Sequence, residues 1–220
     1  MPRRERRTVT AVETLGPYTL LRVARGSLDP GAPGQFFMLE APGRILPRPF
    51  SLCFAPRGEL AFLIDPIGAG TRALAELAPG DEFAIFGPLG RGFRLDVARP
   101  VLVGGGIGIA PLPYLSEALE QPPAVLGFRS EHHAEAAVLV PNAEIVIDPV
   151  LVTDVIPPDR EVLACGPEPM LEAVRALAPS AQLACEAPMA CGYGACYGCV
   201  VEIEGTLKRL CVEGPVLCSS

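Results

Sequence analysis

No stretch of this chain reaches the ~18 uninterrupted apolar residues of a membrane-crossing helix. No apolar signal-peptide core follows the basic start either, since "MPRRERR" runs straight into "TVTAVETLG". An excess of positive charge is also missing. Lys and Arg number 18 against 25 Asp and Glu, and the net charge of −7 excludes a general nucleic-acid binder. Histidine is nearly absent. The only two, His132 and His133, sit side by side in "RSEHHAE", which has the composition of an exposed loop and is assigned no chemistry. There is no internal repeat. These absences lead us to expect a soluble, cytoplasmic protein with a solvated basic tail at its start.

What is present is more informative. Half of the 220 residues are apolar and a fifth are charged, which suits a sizeable core. The length fits two modest domains plus an extension. Gly (23) and Pro (25) are abundant, so turns must be many. Eight cysteines in a chain of this kind point away from disulfides and towards metal or redox use, because cytosolic thiols stay reduced.

Three zones follow one another. Residues 1–98 carry short β-rich runs ("YTLLRVA", "GQFFMLEAP", "ELAFLIDP", "DEFAIFGP") cut by turn signals, the pattern of an antiparallel β-barrel or sandwich. A single helical stretch is expected between Gly70 and Gly80. In residues 99–178 apolar strands alternate with helical segments: "VLVGGG", "LPYLSEALE", "AVLGFRS", "AEIVIDP", "EVLACGP", "EPMLEAVRALA". That alternation implies an α/β domain on a parallel sheet. Residues 179–220 hold six of the cysteines and end in a hairpin turned at Glu204-Gly205.

Cys191, Cys196, Cys199 and Cys211 are spaced C-x4-C-x2-C-x11-C, with three on one tight loop and the fourth expected on the far strand of the hairpin. This is the plant-type [2Fe–2S] spacing, and four thiolates are what two irons require. Gly192, Gly194 and Gly198 allow the backbone to bend round a compact inorganic core and bring N–H groups to the sulfurs. Tetrahedral zinc is the alternative, but structural zinc usually takes two C-x2-C knuckles and here there is one. Cys53 and Cys185 read as small buried hydrophobes, and Cys218 as a non-ligand.

Two further features have the shape of nucleotide sites. "RPFS", Arg48, Pro49, Phe50 and Ser51, places a guanidinium fork and a hydroxyl at a strand edge, suited to a pyrophosphate and a ribityl chain. The bland reading is an Arg in a surface pair and a Phe in the core. "GAGT", with Gly70 and Thr71, opens the barrel-zone helix and adds N–H donors for an anion, which favours a flavin dinucleotide. "GGGIGIAP", containing Gly104, Gly105, Gly106 and Gly108, follows a strand and enters a helix, although Ile109 breaks the Rossmann G-x-G-x-x-G. "CGP", Cys165, Gly166 and Pro167, ends a later strand. Both lie where open α/β sheets bind ligands, at strand carboxyl ends.

Taken together, "RPFS", "GT", "GGGIGIAP", "CGPEPML" and "MACGYGACYGCVVEI…RLCVEGPVL" resemble the ferredoxin-NADP reductase superfamily, over nearly the whole chain. Within it the chain is similar to the electron-transfer subunits of two-flavin (class 1B) dihydroorotate dehydrogenases. The resemblance implies FAD along Arg48–Ser51, Gly70 and Thr71, with backbone at Leu63, Ile64 and Asp65 on the flavin edge. It implies a [2Fe–2S] cluster on the four cysteines, and NAD between Gly104–Pro111 and Cys165–Pro167, with Cys165 near the hydride path. It also implies an FMN-containing catalytic subunit as partner, in a heterotetramer of two plus two. Electrons would pass from that subunit through the cluster and FAD to NAD⁺, in pyrimidine biosynthesis. Tyr193 and Tyr197 would face the partner or pack on the barrel. One departure stands out: the segment after "AEIVID" is abridged, with Pro149 where family members open a glycine-containing loop. Competing readings are an FAD and iron–sulfur reductase module of another oxidoreductase complex, a redox-sensing regulatory subunit, and a zinc-stabilised binding protein.

Overall fold

The computed structural model describes residues 2–203 and 205–218, so the expected turn residue Glu204 lies outside the described residues. Two six-stranded sheets carry the fold. The first is formed by β1 (Arg3–Leu15), β2 (Tyr18–Ala24), β3 (Phe36–Leu39), β4 (Arg48–Ser51), β5 (Glu59–Ile64) and β6 (Glu82–Leu89), and is antiparallel in the order β4-β3-β6-β1-β2-β5. Its edges approach each other where Cys53 N–H donates to the Ala61 carbonyl and Ala61 N–H to that of Phe54. The outcome is a half-closed barrel.

Long β1 serves two neighbours. Arg3–Thr8 pair with β6, and Val9–Leu15 pair with β2, with a register shift between Val9 and Ala11 that bends the strand. The basic start is therefore a strand and not a solvated tail. Arg4 bonds Glu40 in bidentate fashion and Arg6 lies 3.6 Å from Glu82 of β6, while Arg7 pairs with Glu5 along β1 itself, so these three arginines each face a carboxylate. Phe37 and Phe62 meet edge to face at 5.7 Å inside the barrel, beside Leu21, Ile64 and Leu74. The helix α1 (Ala69–Ala75) buries Leu74 in that core.

The second sheet is formed by β7 (Pro100–Gly105), β8 (Ala124–Phe128), β9 (Ala143–Ile147), β10 (Glu161–Cys165), β11 (Gln182–Ala184) and β14 (Val216–Cys218), in the order β14-β11-β10-β7-β8-β9. All its pairs are parallel except β11 with β14. Residues from both sides of position 178 thus share one sheet. The valines of β7, β8 and β10 pack on Leu171 and Val174 of α5 (Glu168–Leu177), an amphipathic helix, on one face. On the other face Leu102, Leu126 and Leu163 meet Tyr18, Leu20 and Leu63 of the barrel, so a continuous apolar layer fixes the two sheets to each other. Short helices α2 (Leu112–Ala118), α3 (Glu131–Ala134) and α4 (Val152–Val155) follow β7, β8 and β9.

The hairpin β12 (Val200–Ile203) and β13 (Thr206–Arg209) forms as expected from its alternation. Cys211, however, sits past the hairpin, on the single-turn helix α6 (Leu210–Glu213). Apolar Leu210 ends the alternation and is drawn into a core with Phe36, Met38 and Leu89 of the barrel. No helix among the described residues is long and apolar enough to cross a membrane.

Candidate functional site: two clefts and a cysteine loop

A cleft of ≈ 650 Å³ opens between the barrel, the second sheet and the segment that leads to the cysteine loop, a size ordinary for a ligand site. Arg48, Pro49, Phe50 and Ser51 enter it from β4, which leaves all four half-buried at the barrel's edge. Leu63, Asp65 and Thr71 line the same wall, whereas Ile64 is buried in the barrel core and does not line the cleft. Gly70 is buried beneath Arg48, and a Cβ there would collide with the guanidinium. Thr71 Oγ1 accepts from Gly68 N–H at 2.9 Å and shapes the entry to α1. Arg48 donates to the Leu46 carbonyl and meets no carboxylate among the described residues, so its charge is available to a phosphate. This uncompensated guanidinium over a glycine cradle fits the pyrophosphate of FAD.

Across the cleft stand Gly108 and Cys165. Gly108 presses on Gly166, which holds the two strand-end turns together. Gly104 is packed beneath them against Leu112, Ile109 and Leu126. Cys165 is buried, and burial, with Glu186 and Cys185 behind it, pushes its thiol well up, so it is no thiolate nucleophile. Cys185 is half-buried and borders the cleft rather than filling the core, because β11 ends one residue earlier.

A second cleft, ≈ 450 Å³, lies at the carboxyl ends of β7, β8 and β9 and shares Asp65 and Ile107 with the first. Gly105, Gly106 and Pro167 line it, as does the abridged segment through Asp148, Val150, Leu151 and Thr153. The segment after β9 therefore forms a wall of the cleft. Tyr18 sits at the junction. Burial and then Asp65 push its hydroxyl up to about 12, against the pull of Arg129. His133 also lines this cleft, edge to face with Tyr18 at 5.9 Å, whereas His132 stays exposed. The composition of "RSEHHAE" carried no sign of this, because the barrel residue that receives His133 is far away in sequence.

The cysteine loop rests on the barrel, where Cys199 and Cys211 are buried with Phe36, Met38 and Leu217. None of the eight cysteines is in a disulfide. Among the described residues no three His, Cys, Asp or Glu side chains gather as a single metal ion requires. Instead backbone amides link the cysteines in two pairs, Cys196 to Cys191 and Cys211 to Cys199. Two pairs suit a two-iron core better than one tetrahedral zinc. The backbone supplies the donors. Cys196 N–H points at Cys191 Sγ at 3.5 Å, Gly198 N–H at Cys196 Sγ at 3.4 Å, and Cys211 N–H at Cys199 Sγ at 3.5 Å. Burial raises the Cys191 thiol, but the amides of Cys196, Tyr193 and Ala195, with the Cys196 side chain, outweigh it and hold the group at about 6. Gly192 and Gly194 make the bend with φ of 78° and 87°, and Cβ atoms there would meet Met38 and Val212 at 2.7 Å. Tyr193 meets Phe86 edge to face at 6.2 Å and Tyr197 lies under Arg209 at 5.3 Å, yet both remain more than 60% exposed (62% and 63%).

Comparison with known proteins agrees with this geometry. A family model for the iron–sulfur cluster binding domain of dihydroorotate dehydrogenase B matches residues 186–219. Among solved structures, an NADH-dependent reduced ferredoxin-NADP oxidoreductase shares the fold with a TM-score of 0.82 at 22% identity, over 97% of this chain and 88% of that one. Phthalate dioxygenase reductase does so at 0.66 and 16%, over 80% and 64%. The Clostridium perfringens electron transfer subunit of dihydroorotate dehydrogenase B (NAD(+)) is 35% identical, with 83% of each chain covered. The Geobacillus thermodenitrificans subunit is 36% identical, over 97% of this chain and 96% of that one. The chain belongs to the family of electron transfer subunits of NAD(+)-dependent dihydroorotate dehydrogenase B.

Proposed function

We propose that this cytoplasmic chain carries electrons from a dihydroorotate dehydrogenase catalytic subunit, itself FMN-containing, to NAD⁺, in the oxidation of dihydroorotate to orotate for pyrimidine synthesis. The observation that carries this reading is the ≈ 650 Å³ cleft, which is walled at once by the barrel, by Gly108 and Cys165, and by Ala187–Met189 at the root of the cysteine loop. When bound, FAD supplies an exchange between the two-electron chemistry of a nicotinamide and the one-electron chemistry of an iron–sulfur cluster.

The residues divide the work. Arg48, Ser51, Gly70 and Thr71 hold the flavin's phosphates and polar chain, and Phe50 with Leu63 shields its ring from water. The Gly105–Gly106 turn and Pro167 seat the nicotinamide nucleotide, and buried Cys165 packs at the boundary between the two ligands. Cys191, Cys196, Cys199 and Cys211 ligate the cluster, whose sulfurs the loop amides stabilise. No side chain is needed as general acid or base for dihydroorotate, which the partner would handle. We assign 1–98 to the flavin, 99–178 to the nucleotide and 179–220 to the cluster, the last also lending β11 and β14 to the second sheet. Exposed Tyr193 and Tyr197 with Ile45 and Leu46 give the cysteine loop an apolar rim for the partner, in an assembly of two plus two.

The test is spectroscopic. Purified aerobically, the protein should be coloured by flavin and by a reddish cluster shoulder, and anaerobic NADH should bleach the flavin band. A colourless, zinc-loaded protein, or a flavin that NADH leaves unchanged, would count against the assignment.

A further inference from the structure

Two side chains of the second cleft have no part in the assignment above. Arg129 lies just beyond the carboxyl end of β8, and His133 follows on α3. They are bonded to each other, Arg129 Nε donating to His133 Nε2 at 2.6 Å. With Nε2 as acceptor, the proton of the neutral imidazole is on Nδ1 and is given to Ser130 Oγ at 2.8 Å. Burial, then Arg129 and His132, lower the His133 pKa, with only Asp65 opposing, so the ring is a neutral acceptor near pH 7.

Arg129 is the only Arg or Lys on the walls of this cleft among the described residues. No carboxylate among the described residues is in ion-pair distance of it, although Asp65 and Asp148 line the same cleft. Its place follows from the sheet. Parallel pairing sets Gly105 beside Gly127, so Arg129 stands two residues, about 7 Å, beyond the glycine turn. A dinucleotide seated on that turn brings two phosphate charges there, and the backbone N–H groups alone carry no full charge to meet them.

We propose that Arg129 is the phosphate anchor of the nicotinamide dinucleotide and that His133 is its positioning residue, with the pyrophosphate as the group held. This rests on the nucleotide assignment of the cleft. The pyrophosphate is favoured over a ribose 2′-phosphate because Asp148, at the outer strand β9, would repel an extra phosphate on that side. Fixing Nε through His133 leaves the terminal nitrogens to form the paired hydrogen bonds that guanidinium makes with phosphate.

Calorimetric titration of the full, FAD- and cluster-loaded chain with NADH, 5′-ADP, 2′,5′-ADP and adenosine tests this. Arg129→Gln should weaken NADH and 5′-ADP by on the order of tenfold and leave adenosine unchanged. His133→Phe, which keeps a ring against Tyr18, should produce a smaller loss of the same kind. In the Arg129→Gln background it should add nothing, since both act through one contact. Unchanged NADH affinity in Arg129→Gln, an equal loss of adenosine, or additive losses in the double variant would overturn the proposal. A loss confined to 2′,5′-ADP would overturn the pyrophosphate assignment. If the wild type binds 5′-ADP but no NADH, or neither, the nucleotide assignment of the cleft itself is what fails.

Discussion

Gly108 rests against Gly166 so closely that a Cβ on Gly108 would come within 2.6 Å of the Cys165 carbonyl oxygen and overlap the Gly166 backbone. The contact joins the two strand-end turns that separate the flavin cleft from the nucleotide cleft. Gly108→Ala should force the turns apart and cost about 1–3 kcal/mol, as overpacking does. We expect a lower melting temperature and slower flavin bleaching by NADH, with the flavin content little changed. Wild-type bleaching rates in this variant would mean that the turns do not set the approach of the two ligands.

Arg48 and Gly70 form a second close pair, on the opposite wall of the same cleft. Arg48→Ala removes the uncompensated cation that, among the described residues, lines the proposed flavin cleft, and Gly70→Ala displaces it. Both variants should purify with a reduced flavin-to-protein absorbance ratio, Arg48→Ala more so, while the cluster absorbance persists. Charge-assisted hydrogen bonds of about 1.5–3 kcal/mol predict a tenfold or greater rise in the FAD dissociation constant of Arg48→Ala.

Cys196 is the exposed member of the proposed ligand set, and its sulfur accepts from Gly198 N–H. Cys196→Ser should abolish the cluster's electron paramagnetic resonance signal after dithionite reduction and leave FAD bound and reducible by NADH. The residues assigned to FAD lie on β4, β5 and α1 and include none of the four cluster cysteines, so loss of the cluster should not release the flavin.

The buried thiols give a pH dependence. Burial raises both Cys53 and Cys165 above the ordinary thiol range, with Arg22 opposing at Cys53. In the unfolded chain a thiol ionises near about 8.5. The native protein keeps protons that the unfolded chain releases, so this stabilisation is complete below that pH and is lost as the pH rises beyond it. Melting temperatures measured from pH 8 to 10.5 should fall, and should fall less steeply in Cys53→Ala. Iodoacetamide at pH 8 should leave Cys53 unlabelled until the chain unfolds.

The sequence was most legible where the chemistry is local. The cluster loop spans nine residues from Cys191 to Cys199, and both its spacing and its glycines are visible without any tertiary information. The alternation of strand and helix after residue 99 likewise announces a parallel sheet, since each unit is contiguous. Features made by distant partners were hidden. Arg3–Arg7 looked like a charged tail because β6, which pairs with them, lies about eighty residues on. Cys211 looked like a strand residue because the barrel core that captures Leu210 cannot be read from the hairpin. The contact of His133 with Tyr18 joins residues far apart in sequence, and the segment around Pro149 showed itself as a cleft wall only once β9 was set beside β8.

The central claim is that this chain links dihydroorotate oxidation to NAD⁺ through its own cofactors. The most direct measurement mixes it with the catalytic subunit, dihydroorotate and NAD⁺ under anaerobic conditions and follows orotate and NADH together. Equal amounts of orotate and NADH from the pair, no NADH from either protein alone, and none when Cys196→Ser replaces the wild type are expected. NADH formed as fast with Cys196→Ser, or orotate accumulating with no NADH, would contradict the account.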